Sequence, residues 1–323
     1  MPAIRALIID HSHRSHRCFL TALAVALAAI FLIVPPERAW ASDPGDAGAL
    51  FLRVGMGARA AGMGEGYCAV AEDASSVYWN PAAMAPVLGT NLMLMHIEYF
   101  QSVRLEQVAL THETDYGTIG LSFTGMYMDK LERRENVPSS MPLGEFSVYD
   151  ISFAVGFARY ITPNVSLGAS VKPVYERIDN RSASGVAFDA GIYHVARING
   201  LKLAAVVGNL GTPMMFIDQE FALPRYVKIG GSYERETPTL RGRLLLTLDG
   251  VFPNDGTPKQ HMGAEYMYRR LLALRAGYKA GYDSQGGTFG LGVNWKTLGV
   301  DYAFMLTKND LGDSHRLSLT FRL

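Results

Sequence analysis

The chain has 323 residues with 30 basic and 30 acidic side chains, so its formal net charge is zero. Charged residues make up only 19% of the sequence, against roughly a quarter in ordinary globular proteins. With 33 glycines and 11% aromatic residues, the composition argues against disorder, a coiled coil and a collagen-like chain. The balanced charge offers no basic surface of the kind that nucleic-acid-binding proteins use. These features leave a globular protein or a membrane β-barrel.

The first 41 residues have the organisation of a secretory signal peptide. Basic residues precede a charge-free apolar run from Cys18 to Val34, and two prolines and the small-x-small sequence Ala39-Trp40-Ala41 follow it. We expect cleavage after Ala41, which assigns residues 1–41 to the signal peptide. A retained membrane anchor is the alternative, but the run is shorter than the roughly twenty residues that a membrane-spanning helix needs. The rest of the sequence has no apolar run of that length, which excludes a helical membrane protein.

From about residue 90 onwards, apolar residues alternate with small or polar ones in short segments. In one of them, Phe289, Leu291 and Val293 oppose Gly290 and Gly292. The second face is sparsely charged, as in a barrel lumen, whereas a soluble sandwich would carry many Lys and Glu residues there. The pattern predicts an all-β fold, a transmembrane outer-membrane β-barrel of about fourteen antiparallel strands within residues 89–323. The strands are expected at 90–99, 103–114, 117–128, 145–158, 165–176, 184–196, 201–209, 224–235, 241–252, 259–268, 270–280, 286–295, 297–306 and 313–323.

Charged residues of both signs fall on the predicted inner face. Because isolated charges are costly in a confined space, we expect them to pair with one another. A solvated face is the alternative interpretation. The set comprises Asp150, Lys172, Asp189, Lys228, Arg243, Asp249, Glu265, Arg275 and Asp301.

Connections after odd-numbered strands are mostly longer than those after even-numbered strands. Outer-membrane barrels have short periplasmic turns and longer outer loops, so this difference predicts that both termini are periplasmic. The last strand ends with Phe321 and Leu323, which resembles the C-terminal insertion signal of outer-membrane barrels. The strand predicted at 103–114 alternates poorly, and the sequence offers no explanation for it.

Residues 42–88 do not alternate and are predicted to form a separate segment with short helices on either side of Asn80. Pro81 ends the first helix and begins the second, which places Asn80 at its N-cap. The dense glycines of this segment, Gly62 and Gly64 among them, permit close packing of backbone against backbone.

The sequence contains no constellation of catalytic residues. Gly55-x-Gly57-x-x-Ala60 mimics a dinucleotide-binding fingerprint, but the alternating strands and helices that this motif requires are missing. The histidines are scattered, and Walker, HExxH, GxSxG and paired CxxC motifs are absent. We therefore expect a protein that is not an enzyme and that uses neither a cofactor nor a metal. Cys68, the one cysteine left after signal cleavage, is interpreted as a small buried apolar residue.

Several different short motifs that together carry a family resemblance are distributed along nearly the whole mature chain. They include residues 57–64, residues 69–82, Gly208-Asn-Leu-Gly-Thr-Pro213, Gly263-Ala-Glu-Tyr266, Arg275-Ala-Gly-Tyr278, Thr288-Phe-Gly-Leu-Gly292 and Asp301-Tyr-Ala-Phe304. Together they resemble the PorV/PorQ family of FadL-like outer-membrane proteins. The resemblance implies a fourteen-stranded barrel that the N-terminal segment plugs from the periplasmic side. The residues expected in this plug are Gly62, Gly64, Asn80, Pro81 and Ala82.

FadL-like relatives pass hydrophobic molecules such as long-chain fatty acids across the outer membrane. PorV-like relatives instead shuttle secreted cargo proteins to surface attachment in type IX secretion. The resemblance therefore implies hydrophobic transport, with type IX secretion as a nearly equal alternative and a structural or adhesion barrel as a third. The expected partners are outer-membrane lipid and either a small hydrophobic ligand or a secreted protein with its translocon, and no nucleic acid.

The connection at 210–223 is more apolar than a water-exposed loop should be. Methionine side chains adapt to irregular apolar surfaces, including those of ligands. We therefore expect Met214, Met215, Phe216 and Phe221 to contact a ligand or partner. The alternative, which the sequence favours at least as strongly, is that this loop folds back onto the barrel mouth as structural packing.

Overall fold

The structure is a computed structural model, and it describes residues 45, 47–70, 73–98, 103–136, 141–307 and 313–323. The predicted signal peptide, residues 1–41, lies outside the described residues. Within the described ranges, no helix combines the length and the apolar character needed to cross a membrane.

Across the described residues, fourteen antiparallel strands form one closed barrel, which confirms the predicted fold and strand number. Each strand pairs with its neighbours in the chain, β7 pairs with β10, and β1 pairs with β16 to close the ring. Two further strands, β8 (Met214–Phe216) and β9 (Gln219–Phe221), form a separate hairpin. The barrel strands are β1 (Thr90–Glu98), β2 (Arg104–Thr114), β3 (Gly117–Arg133), β4 (Gly144–Thr162), β5 (Val165–Ile178), β6 (Arg181–Val195), β7 (Leu201–Gly211), β10 (Tyr226–Thr237), β11 (Gly242–Pro253), β12 (Lys259–Tyr268), β13 (Leu272–Ala280), β14 (Gln285–Trp295), β15 (Leu298–Thr307) and β16 (Ser314–Arg322).

The two ends of the barrel differ in their connections. At the end where β1 begins and β16 ends, called the turn end, residues 115–116 join β2 to β3 and residues 296–297 join β14 to β15. At the opposite end, called the loop end, residues 134–143 join β3 to β4 and residues 212–225 join β7 to β10. The difference follows the short and long connections expected of a membrane barrel.

The outer face of the barrel carries a band of apolar side chains. On β14, Phe289 is 53% exposed and Leu291 is 58% exposed, while Gly290 and Gly292 on the inner face are buried. Such a surface would be costly in water, whereas in a bilayer it faces hydrocarbon. The closed ring also leaves no barrel strand with an unpaired edge, as a spanning sheet requires. The chain is therefore a transmembrane β-barrel.

Strands β3 to β6 are longer than the sequence pattern predicted. They contain 17, 19, 14 and 15 residues, whereas about 9–11 residues suffice to cross a bilayer. At the loop end, β5 and β6 meet in a turn at Asp179 and Asn180, so the longer connection predicted at 177–183 is wrong. At the loop end the alternation fades because both faces meet water, as the consecutive and equally exposed residues Glu132 and Arg133 of β3 show. These four strands project beyond the apolar band.

The irregular pattern of β2 has a structural cause. Its inner face includes the buried apolar residues Leu105 and Ala109. On its outer face, Glu106 pairs with His96 of β1, with 2.7 Å between Oε1 and Nδ1. Near the loop end, β1 and β2 therefore carry apolar residues inside and polar residues outside, which is the reverse of the pattern on β14.

Replacing Leu291 with arginine tests the position of the apolar band. A charged side chain near the bilayer midplane costs about 2–4 kcal/mol, and the cost falls to about 0–1 kcal/mol near the interface. We expect Leu291→Arg to lower the free energy of unfolding in lipid vesicles by about 2–4 kcal/mol. Leu240→Arg, in the 3₁₀ turn Pro238–Leu240 at the turn end, serves as the control and should have little effect. Equal losses in the two variants would contradict a lipid-facing Leu291.

Candidate functional site

Residues 47–70 and 73–88, here called the N-terminal segment, cross the barrel lumen from the loop end to the turn end. Ala47 forms a bridge with Ala222 in the connection at the loop end. Pro81 lies against Gly168, close to the start of β5 at the turn end. The sequence predicted both termini at one end, and Leu323 does lie at the turn end. The earliest described residues lie at the loop end, because the segment threads the lumen before β1 begins.

The helical parts of the N-terminal segment are single turns. The side chain of Asn80 accepts a hydrogen bond from the Ala82 N–H, and Pro81 follows as the first residue of its turn. This arrangement agrees with the N-cap expected from the sequence. The described elements are 3₁₀ turns at Leu50–Arg53 and Pro81–Met84 and α-helical turns at Ala58–Gly62 and Ser76–Trp79.

Inner-face side chains of the barrel satisfy backbone groups of the N-terminal segment. Helices this short leave most of their N–H and C=O groups without an internal partner. The Ser166 hydroxyl donates to the Ala82 carbonyl at 2.8 Å. The Asp249 carboxylate accepts from the backbone N–H groups of Tyr67 at 2.8 Å and Cys68 at 3.0 Å. Many of the polar side chains on the inner wall therefore serve as hydrogen-bond partners for the segment.

Glycines on both surfaces let the N-terminal segment approach the wall. A Cβ atom added to Gly62 would lie 2.9 Å from the Cα atom of Gly290 on β14. A Cβ added to Gly64 would lie 2.7 Å from the backbone nitrogen of Tyr278 on β13. The wall glycine Gly168 offers the same space to the Pro81–Ala82 peptide group. The structure thus brings all five residues predicted for the plug, Gly62, Gly64, Asn80, Pro81 and Ala82, into direct contact with the barrel.

One buried ionic network joins the N-terminal segment to β12, β13 and β15. Arg59 donates two hydrogen bonds to Glu265, through Nε and Nη2, each at 2.8 Å. Arg275 donates to Glu265 at 2.6 Å and to Asp301 at 2.7 Å. Glu265, Arg275 and Asp301 are among the residues predicted for the inner face, whereas Arg59 was not predicted. A basic residue within the small-residue run Ala58–Gly62 was the available signal.

A second buried network is centred on Glu65 of the segment. Its carboxylate accepts from Lys279 of β13 at 2.5 Å and from Arg316 of β16 at 3.0 Å. Burial opposes ionisation of Glu65, but the two cations outweigh that cost and hold its pKa below the usual 4.5. Glu65 was likewise not predicted, although its charge stands out in the glycine-rich stretch Gly62–Gly66.

The predicted pairing of inner-face charges is found for part of the set. Lys172 and Asp189 pair within the wall at 3.0 Å. Asp249 instead accepts hydrogen bonds from the N-terminal segment. Lys228 lies over the ring of Trp79, with its Nζ atom 4.5 Å from the centroid, in a cation–π contact. The charges therefore have partners on both the wall and the segment.

The hairpin β8–β9 packs into the loop end of the barrel. Met214 is fully buried against Val174 and the N-terminal residues Phe51 and Leu52, and Phe216 and Phe221 pack against the same cluster. Met215 is instead 56% exposed. Of the four residues predicted to contact a ligand or partner, three therefore take part in structural packing, the alternative that the sequence had left open.

The inner wall next to this hairpin is apolar. Met95 and Ile97 of β1 and Leu105 of β2 form a buried cluster, and Val54 and Met126 pack against it. Together with the hairpin cluster, these residues form what we call the apolar layer of the lumen. It lies on the loop side of the two ionic networks.

Residues 41–212 match the model of the uncharacterised protein family UPF0164, and the chain belongs to that family. No curated protein matches the sequence.

Several solved barrels share the fold. The monoaromatic hydrocarbon channel CymD gives a TM-score of 0.58 at 13% identity, over 84% of this chain and 98% of that one. The Pseudomonas putida toluene transporter TodX gives 0.56 at 11% identity, over 88% and 98%. A Pseudomonas aeruginosa FadL homologue gives 0.53 at 14% identity, over 81% and 97%. The FadL-like fold expected from the sequence is thereby confirmed, while membership of PorV/PorQ stays a prediction.

Replacing Glu65 with glutamine tests the second ionic network. The change leaves Lys279 and Arg316 buried without a counter-charge, so we expect the free energy of unfolding to fall by about 3–5 kcal/mol. Glu135→Gln, at an exposed position, is the control and should be nearly neutral. Denaturant titration of the refolded barrel in detergent measures both variants.

The difference in stability between wild type and Glu65→Gln is also expected to depend on pH. A carboxyl with a lowered folded-state pKa stabilises fully above its unfolded pKa, here 4.5, and loses that effect as the pH falls towards the folded value. The stability difference between wild type and Glu65→Gln should therefore be constant above about pH 5 and shrink below pH 4.5. A difference that grows on acidification would contradict the assignment of charge to Glu65.

Proposed function

We propose that this UPF0164 protein is an outer-membrane channel that passes small hydrophobic molecules and catalyses no reaction. The observation that carries the proposal is the apolar layer at the loop end, which lies in the lumen beyond the two buried ionic networks. Proteins of the same fold include a toluene transporter and monoaromatic hydrocarbon channels. An apolar lining of methionine and aliphatic side chains suits such solutes, because the transfer of an apolar molecule from water to an apolar surface is favourable.

In this proposal, the hairpin β8–β9 is the outer gate and the N-terminal segment is the plug. The hairpin contacts the segment through Ala222 and Phe221, and Gly48 donates a backbone hydrogen bond to Ala222 at 3.1 Å. Its exposed Met215 and Ile217 offer an apolar surface at the loop end, where a solute would first arrive. Entry then requires the hairpin to separate from the segment, and methionines of the apolar layer rearrange around the solute.

The proposal includes the orientation and export of the chain. The signal peptide at 1–41 would direct the barrel to the outer membrane, with the turn end in the periplasm and the loop end outside. Residues 42–88 would then act as the plug of a barrel formed by residues 89–323. The apolar layer of the lumen suits apolar molecules of different lengths, so long-chain fatty acids and monoaromatic hydrocarbons are both candidate solutes.

A disulfide between hairpin and segment tests the gate. Ala47 and Ala222 are bridge partners, so Ala47→Cys combined with Ala222→Cys is expected to form a disulfide across them. Oxidation should block most uptake of radiolabelled toluene and oleate into proteoliposomes, and reduction should restore it. Each single-cysteine variant is the matched control and should transport in both redox states.

Two outcomes count against different parts of the proposal. Full uptake by the oxidised double variant would reject the hairpin as the gate while leaving transport intact. Wild-type uptake no faster than in protein-free vesicles, with sucrose excluded from both, would reject hydrophobic transport itself.

A PorV-like role in type IX secretion is the second candidate, and the projection of β3 to β6 favours it. These strands extend beyond the apolar band at the loop end, where a cargo protein could bind. Extraction from the native membrane in mild detergent, followed by mass spectrometry, distinguishes the two. Bound apolar molecules without protein support transport, whereas a secreted protein or a much larger barrel supports a shuttle.

A further inference from the structure

A cavity of about 820 Å³ opens at the turn end of the barrel, on the side of the N-terminal segment away from the apolar layer. Seven arginines and four acidic residues line it. The inner part is charge-balanced, because Arg59, Arg275 and Arg243 pair with Glu265, Asp301 and Glu234. The arginines in the inner part of the cavity are therefore already paired with acidic side chains of the protein.

The mouth of the cavity is different. Arg241, Arg269, Arg270 and Arg322 all line it and are exposed, and within the described ranges none of the four has an ion-pair partner. Glu236 is the acidic residue at this level, so the mouth has an excess of positive charge. Like charges gathered around a concave surface repel one another and attract counter-ions.

The backbone holds three of these arginines in unfavourable conformations. Arg269 and Arg270 form the turn between β12 and β13 with φ angles of 52° and 57°, and a 2.9 Å hydrogen bond from Leu271 N–H to Tyr268 C=O closes it. Arg241, in the turn between β10 and β11, has a φ of 56°. Short hairpin turns with positive φ strongly favour Asn and Gly, because side chains clash there. Arginine at these three positions is therefore expected to destabilise the fold, and a role in binding a ligand would explain why arginine occurs there.

We propose that this mouth binds a multivalent organic oxyanion, through phosphate or carboxylate groups. Guanidinium groups present planar, paired N–H donors that match both kinds of oxyanion. Several unpaired arginines around one opening suit a ligand with two or more negative groups. The volume is within the range of small-molecule sites and exceeds what inorganic phosphate needs. Met267 and Pro238 in the lining supply apolar contact for the rest of the ligand.

This site is independent of the proposed hydrophobic transport. It lies at the opposite end of the lumen from the apolar layer, and no hairpin residue lines it. Anion binding and solute uptake can therefore be measured separately on the same protein.

The strained turns make a test possible without risk to the fold. Arg269→Asn with Arg270→Gly removes two charges and installs the residue pair that such a turn prefers. Arg241→Gly removes one charge on the same principle. Lys296→Gly is the matched control, because Lys296 is exposed at the same end with a φ of 54° but does not line the cavity. All three variants are expected to fold at least as well as wild type.

Binding of pyrophosphate and citrate to the detergent-solubilised full chain is measured by isothermal titration calorimetry at constant ionic strength. We expect saturable binding to wild type and to Lys296→Gly. Affinity should fall at least about tenfold in Arg269→Asn/Arg270→Gly, since hydrogen bonds between charged groups are lost, and less in Arg241→Gly. Short-chain phosphatidylglycerol distinguishes the sources: competition with pyrophosphate indicates a lipid headgroup, and its absence indicates a soluble anion.

Three results would overturn the proposal. They are an absence of saturable binding in wild type, unchanged affinity in Arg269→Asn/Arg270→Gly, and an equal loss in Lys296→Gly. The last would show that only the general positive charge of this end attracts anions.

Discussion

Enclosed backbone groups must find partners, and this constraint organises the lumen of the barrel. The N-terminal segment contains only single helical turns, which cannot satisfy their own N–H and C=O groups. Serine hydroxyls and the carboxylate of Asp249 on the wall therefore serve the segment. The dependence is reciprocal, because Arg59 and Glu65 of the segment supply counter-charges to strands β12, β13 and β16. Wall and segment form one electrostatic and hydrogen-bonded core.

This core divides the lumen into layers of different chemistry. An apolar layer with the hairpin lies at the loop end, ionic networks cross the middle, and an arginine-rich cavity opens at the turn end. The buried networks separate the region proposed for hydrophobic solutes from the region proposed for anions. A solute that crosses the barrel would have to pass groups that are costly to separate once buried. In its proposed role as a plug, the N-terminal segment would therefore be a barrier of energy as well as of volume.

Period-two alternation predicted the closed sheet and the lipid-facing wall, because one lipid-facing side imposes that pattern, and the even strand count of membrane barrels helped to fix the strand number. It failed where the environment differs: the loop-end extensions of β3 to β6 meet water on both faces, and β1 and β2 are apolar inside near the loop end. The Asn80 cap was visible because capping is local in sequence. The partners of Arg59 and Glu65 lie more than 200 residues away, as hydrogen bonds to Glu265 and Lys279 show, so no local pattern could reveal them. Arginines in left-handed turns were equally invisible, since their φ angles come only from the fold.

The threaded path of the N-terminal segment constrains the order of assembly. Asn91 of β1 pairs with Arg322 of β16, so the seam of the barrel joins strands from the two extremes of the sheet. Closing such a long loop is entropically slow and belongs to the late stages of folding. The segment touches both β5 and β16, so we expect it to lie against the sheet before the seam between β1 and β16 closes. Because the segment would be hard to insert into a ring that had already closed, we expect it to serve as a template around which the last strands pair.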